Sequence, residues 1–181
     1  GTLGSYVGGQ YGADRHLFLS LIFYEEYWKI YTKSDVIPPQ YIADDAEIER
    51  SIIGEGTEVY GKVINSVIGS GVTIEKGAVV RDSIVMQGTH IGACTVVDKA
   101  IIAENVTIGA NAEVGFGDYA PSTYDPKVYQ FELATIGENS VIPDGVKIGR
   151  NTAIAGETAI DDYPDGILAG GNYIIKAGGV K

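Results

Sequence analysis

From residue 42 onward an aliphatic side chain returns about every six residues. The positions are Ile42, Ile48, Ile53, Val59, Ile68, Ile74, Val80, Val85, Ile91, Val97, Ile102, Ile108 and Val114. After a gap they resume at Ile136, Ile142, Ile148, Ile154 and Ile160. Most steps are six residues, but those from 48 to 53, from 80 to 85 and from 97 to 102 are five and that from 59 to 68 is nine. A larger unit of 17 follows: Ser66-Val67-Ile68, Ser83-Ile84-Val85 and Ala100-Ile101-Ile102 are spaced by it, with Ser51-Ile52-Ile53 15 residues ahead. Gly often follows the aliphatic residue, as at Ile53-Gly54, Ile68-Gly69, Ile91-Gly92, Ile108-Gly109, Ile136-Gly137 and Ile148-Gly149.

A six-residue unit is too short for a helical repeat and fits one short strand plus a tight turn. Three units return the chain to its starting direction, giving a triangular coil. Each aliphatic side chain then stacks on its equivalent about 4.8 Å above. Residues 42–160 supply roughly six coils, and Ile74, Ile91 and Ile108 are expected in the core. A β-sandwich would turn every 8–12 residues and alternate with period two. A six-residue phase held over a dozen units argues against it.

Two stretches break the pattern. Residues 1–40 are expected to be a linker and a helical segment, ahead of a β-helix over 41–181. Within His16 to Tyr31, Leu17, Leu21, Tyr24 and Trp28 fall at helical spacing; a short helix followed by an extended Trp28–Thr32 fits equally. Pro38-Pro39 ends any helix. Residues 115–135 form an insertion with no aliphatic phase, carrying Phe116, Tyr119, Tyr124, Tyr129 and Phe131. We expect it to be a contact loop, because aromatic residues are enriched in interfaces. The tail Ile167–Ile175 is expected to cap the last coil or reach a neighbour.

Composition sharpens this reading. The 181 residues hold 23 Ile and 17 Val but six Leu, four of them before residue 22. Such a chain is β-rich. The net charge of −11 argues against nucleic-acid binding, which needs a basic footprint. One cysteine, Cys94, excludes an internal disulfide. No apolar run approaches the roughly 20 residues of a membrane helix. The start, Gly1-Thr2-Leu3-Gly4-Ser5, has no initiator Met and no basic leader, as expected of a fragment or a processed chain.

Hexads of the form Ile-Gly-x-x-Ala/Thr/Val-x resemble the hexapeptide left-handed β-helix, and handedness comes only from that resemblance. The match is narrower at Gly1–Tyr6, at Trp28-Lys29-Ile30-Tyr31-Thr32, at Pro38-Pro39-Gln40-Tyr41-Ile42, through residues 51–88 and at Ile142–Asn151. Together these resemble the C-terminal region and preceding linker of glucose-1-phosphate adenylyltransferase (ADP-glucose pyrophosphorylase), with Gly1–Tyr6 similar to the end of its catalytic domain, so that the resemblance implies residues 1–40 to be the linker and the end of that missing domain. The resemblance implies a cytoplasmic, allosteric, tetrameric parent enzyme. It would join ATP and glucose 1-phosphate, with Mg²⁺, into ADP-glucose and pyrophosphate for glycogen synthesis. It also implies partners: the enzyme's own catalytic domain, further copies of the chain, and sugar-phosphate or nucleotide effectors. The family's nucleotidyltransferase domain is expected to be missing here, so we assign no catalytic, cofactor-binding or metal residue. A hexapeptide-repeat acyltransferase and a noncatalytic regulatory paralogue of the same enzyme are the alternatives.

Several single residues are candidates for chemistry. Gly8–Arg15 mimics a phosphate loop, but no strand precedes it, and residues 7–27 depart from the family pattern. His90 has no orienting partner readable in the sequence: an exposed strand histidine is expected rather than an acyltransferase general base. Cys94 is expected at a coil turn or outer face as an inert thiol. Asp44, Asp45, Asp161, Asp162 and Asp165 are expected in solvated turns rather than as metal ligands. Lys147, Arg150, Lys176 and Lys181 are cations able to meet an anionic effector. Where plant members of the family carry a lysine after the insertion, this chain reads Ile136-Gly137-Glu138-Asn139.

Overall fold

The structure is a computed structural model and describes residues 39–121, 123 and 133–176. The expectations for residues 1–38, including the helical spacing and Gly8–Arg15, lie outside the described residues. So do those for Tyr124, Tyr129, Phe131 and Lys181.

Among the described residues, twenty short parallel strands wind into three sheets that form the sides of a prism. The first sheet has six strands, from Tyr41–Ile42 to Val141–Ile142. The second has seven, from Glu47–Glu49 to Ile167–Leu168. The third has seven, from Ile52–Ile53 to Tyr173–Ile175. Every strand pairs with the strand one coil away, so Ile74 aligns with Ile91 and Ile91 with Ile108. The result is an all-β parallel solenoid of about seven turns, and it fits the left-handed β-helix of hexapeptide repeats.

The repeating aliphatic residues point inward as expected. Ile68, Ile74, Ile91, Ile102, Ile108, Ile136 and Ile148 are completely buried. Three details differ from the sequence reading. Val63 is also core: the second coil is the 15-residue one, and its corner at Tyr60-Gly61 shortens the step from Val59 to four residues. Ile160 is not core; it is 52% exposed on a 3₁₀ turn at Ile160–Asp162. That turn and Pro164–Gly166 replace the first-sheet strand of the last coil. Tyr163 fills the end of the column instead, with its hydroxyl 2.7 Å from Thr158 Oγ1. Burial holds the Tyr163 phenol above its ordinary range. Finally, the tail neither caps nor leaves the solenoid: Ile167–Leu168 and Tyr173–Ile175 continue it, with Leu168 in the core.

The corners explain the polar repeats. The left-handed backbone region recurs there, at Asn65, Asp82, Lys99 and Asn151 on one edge and at Cys94 and Asn111 on another. Asn and Asp tolerate that region because their short side chains hydrogen-bond locally. Serines form a ladder beside the first edge. Ser66 Oγ donates to the Ile64 carbonyl and accepts from Ser83 N–H; Ser83 Oγ donates to the Arg81 carbonyl and accepts from Ala100 N–H. Thr89 and Thr95 do the same for Val106 and Ala112. Backbone groups that a tight corner leaves unpaired inside the protein are thereby satisfied.

Candidate functional site

The one irregularity in the second sheet lies where the insertion leaves it. Glu113–Phe116 pairs with Lys147–Gly149, but the register slips between Val114 and Phe116. Gly115 is the extra residue of this bulge. Its φ of +86° suits glycine, and a Cβ there would collide with the Asp98 carbonyl. The bulge opens a cleft of about 190 Å³ among Arg81, Asp98, Glu113, Phe116 and Arg150.

Arg81 and Asp98 stand one coil apart in direct register, with Arg81 Nε 3.5 Å from Asp98 Oδ2. Asp98 Oδ1 is buried and makes no hydrogen bond. Arg150 Nε donates to the Gly115 carbonyl at 3.4 Å. Opposite charges therefore line the cleft in near balance. This geometry orients polar groups at the root of the insertion, but it places no nucleophile beside a base. Sequence reasoning missed this cluster, although Arg81 and Asp98 are separated by the 17-residue repeat and so had to be neighbours.

The insertion itself continues along the edge toward the last coil. Asn151 Nδ2 donates to the Ala120 carbonyl at 2.9 Å, and Thr123 N–H donates to the Gly171 carbonyl at 2.8 Å. Tyr119 remains 44% exposed.

The other candidates are scattered. His90 is partly exposed on the first sheet, with Nε2 3.0 Å from Glu75 Oε1. No hydroxyl or thiol among the described residues bonds to it. Cys94 is exposed at a corner with φ +58°, as the sequence suggested. Asp44 and Asp45 lie in a turn. Asp161 and Asp162 lie on the 3₁₀ turn, and Asp165 takes φ +53° in the following one. Asp162 Oδ2 accepts Ala159 N–H, and its carboxylate pairs with Lys176. These two interactions, the backbone bond foremost, hold its carboxyl below the usual range. Among the described residues no three His, Cys, Asp or Glu side chains gather as metal ligands. No helix among them is long and apolar enough to cross a membrane. Lys147 sits outward on the second sheet, away from Lys176 beyond the third-sheet strand Tyr173–Ile175.

The repeat, the three parallel sheets and the inward aliphatic column define a hexapeptide-repeat β-helix protein. The family described as GlmU-like, C-terminal hexapeptide, matches residues 37–125. The chain is similar to the C-terminal region of glucose-1-phosphate adenylyltransferases, as its motifs anticipated. It is 61% identical over 155 residues to that enzyme from Lachnospira eligens, covering 86% of this chain and 37% of the relative. With the enzyme of Acetivibrio thermocellus it shares 37% identity over 151 residues, covering 83% and 35%. The chain thus spans little more than a third of the length of these relatives. The solved acetyltransferase domain of PglB from Neisseria gonorrhoeae shares 21% identity at a TM-score of 0.32. It covers 87% of this chain and 64% of that one, too loose a likeness to transfer an activity.

Proposed function

We propose that this chain is the β-helix portion of a glucose-1-phosphate adenylyltransferase and that its own work is mechanical: assembly of subunits, docking of the catalytic domain and transmission of effector binding. The observation that supports this most is the 61% identity with the Lachnospira eligens enzyme over 155 residues.

In the whole enzyme a phosphate oxygen of glucose 1-phosphate attacks the α-phosphorus of ATP. A new phosphorus–oxygen bond forms as the bond to pyrophosphate breaks. Such a displacement is catalysed by positioning and by charge stabilisation, with Mg²⁺ neutralising the phosphates. We expect the described residues to contribute a scaffold of three parallel sheets to that scheme rather than reacting groups, and the isolated chain to be inactive.

Assembly follows from two surfaces. A parallel solenoid ends in strands with unpaired backbone groups, which invite another chain. The insertion adds the exposed Tyr119. Against this, −11 charges per chain repel like copies, and salt screens that repulsion. Sedimentation of the purified chain should show association that grows with added salt and weakens when Tyr119, Tyr124 and Tyr129 become Ser. A monomer at every salt and protein concentration would remove the assembly role.

An acyltransferase remains the competing activity because those enzymes share this coil. The structure gives His90 a carboxylate neighbour in Glu75, which the sequence did not reveal, but no hydroxyl or thiol among the described residues bonds to it. Acetyl-CoA at millimolar concentration should leave the melting temperature unchanged; micromolar binding would favour the competing reading.

A further inference from the structure

We propose that the cleft at the Gly115 bulge binds a small zwitterion of the α-amino acid class, its ammonium on Asp98 and its carboxylate on Arg150. The observation is an orphaned acceptor. Asp98 Oδ1 is buried and accepts no hydrogen bond, and the side chain as a whole is only 17% exposed. Buried polar atoms are nearly always paired, and a charged one left unpaired costs more than a neutral one. A carboxylate oxygen in that state, in the wall of a cleft, is an acceptor waiting for a ligand's N–H or O–H group.

The register shows why Asp98 lacks a partner. One outward column of the second sheet reads Glu49, Ile64, Arg81, Asp98 through four successive coils. Arg81, in the preceding coil, serves Oδ2 at 3.5 Å. A side chain in the following coil would serve Oδ1, but the pairing of Val96–Asp98 with that coil stops at Val97 and Val114. Gly115 comes next, with the place of its missing β-carbon taken by the Asp98 carbonyl. Phe116 then aligns with Gly149, one coil further on. The bulge therefore removes the side chain that the repeat would set against Asp98, and a space of about 190 Å³ takes its place.

The other walls select the ligand. Arg81, Asp98, Glu113 and Arg150 all line the cleft, so cations and anions balance; Lys147 aligns with Glu113 but is not part of the lining. A phosphate or a divalent cation would meet as many like charges as opposite ones. A molecule carrying one charge of each sign can set each against its complement. Among the described residues no carboxylate pairs with Arg150. Its Nε donates to the Gly115 carbonyl, which leaves both terminal nitrogens for a bidentate carboxylate. That bond also draws the guanidinium back to the coil next to Asp98, about 5 Å along the axis, a spacing that one small molecule bridges. Val96 and Phe116 add an apolar wall suited to an aliphatic side chain. Pockets for drug-sized ligands run to about 300–1,000 Å³, so this one takes something smaller.

L-Valine is the probe. Isovalerate, which lacks the ammonium, and isobutylamine, which lacks the carboxylate, are its two halves. L-Valine should raise the melting temperature of the purified chain saturably and shift the amide resonances of Gly115 and Gly117. Each half should bind about tenfold more weakly or worse, since a hydrogen bond to a charged group is lost. Asp98→Asn and Arg150→Gln should each weaken L-valine by a similar factor, whereas Glu47→Gln, at the far end of the same sheet, should not. If Asp98→Asn fails to fold, Arg150→Gln and the two halves decide. No response to L-valine at millimolar concentration, or a response that Arg150→Gln leaves unchanged, would overturn the inference. Isovalerate or inorganic phosphate binding as tightly as L-valine would also overturn it, by making the cleft an anion site. The site needs only the solenoid, so its failure would leave the relation to the adenylyltransferases untouched.

Discussion

Thr123 donates its backbone N–H to the carbonyl of Gly171, 48 residues later, at 2.8 Å. One coil below, the Asn151 side chain holds the Ala120 carbonyl. The start of the insertion is thus an axial strap that ties the last two coils to the edge of the prism. Asn151→Gly keeps the left-handed corner accessible (φ +54°) and removes the amide. It should lower stability by about 1 kcal/mol and speed amide exchange of Thr123 and Gly171. Unchanged exchange would mean that the strap does not fasten the end.

The serine ladder predicts a graded cost. Ser83 Oγ serves a carbonyl and a buried N–H at once. Ser83→Ala should destabilise by about 1–3 kcal/mol, because Ala100 N–H is left unpaired in the interior. Ser51 does the same work in the more exposed first coil, where water can replace it, so Ser51→Ala should cost less. Chemical denaturation of the two variants gives the comparison.

Cys94 adopts φ +58° at a corner where the equivalent residues are Gly77, Asn111 and Gly145. A residue with an ordinary β-carbon is strained there by about 1 kcal/mol. Cys94→Asn should therefore raise the melting temperature slightly. A drop would show that the thiol contributes packing that the weak contact to the Lys76 carbonyl does not reveal.

Asp162 provides the pH signature. Its folded-state pKa is lowered, first by Ala159 N–H and then by Lys176. Its contribution is complete above the ordinary carboxylate value and disappears as pH falls through the depressed one. Asp162→Asn should therefore be less stable than the parent at pH 7, and the two curves should converge under strongly acidic conditions. A difference independent of pH would assign the effect to packing.

Much of this architecture was legible because burial repeats: every coil needs three inward aliphatics, so Ile74, Ile91 and Ile108 announce themselves by spacing. Asn and Gly at the corners follow from the backbone angle that such corners demand. Val63 was hidden because a shortened corner breaks the six-residue step. Ile160 misled because it keeps the phase while the backbone turns to 3₁₀ and Tyr163 takes the core position. The Arg81–Asp98 pair could have been read from the repeat. The hold of Thr123 on Gly171 could not, since nothing local in either stretch encodes a contact made only after the solenoid has formed.

The measurement that bears most directly on the functional account is pyrophosphorolysis of ADP-glucose by the purified chain. Among the described residues no three His, Cys, Asp or Glu side chains gather as metal ligands, and a structural role predicts no glucose 1-phosphate above that of a mock purification. Production of glucose 1-phosphate in proportion to the amount of chain added would contradict the assignment of this β-helix to assembly rather than chemistry.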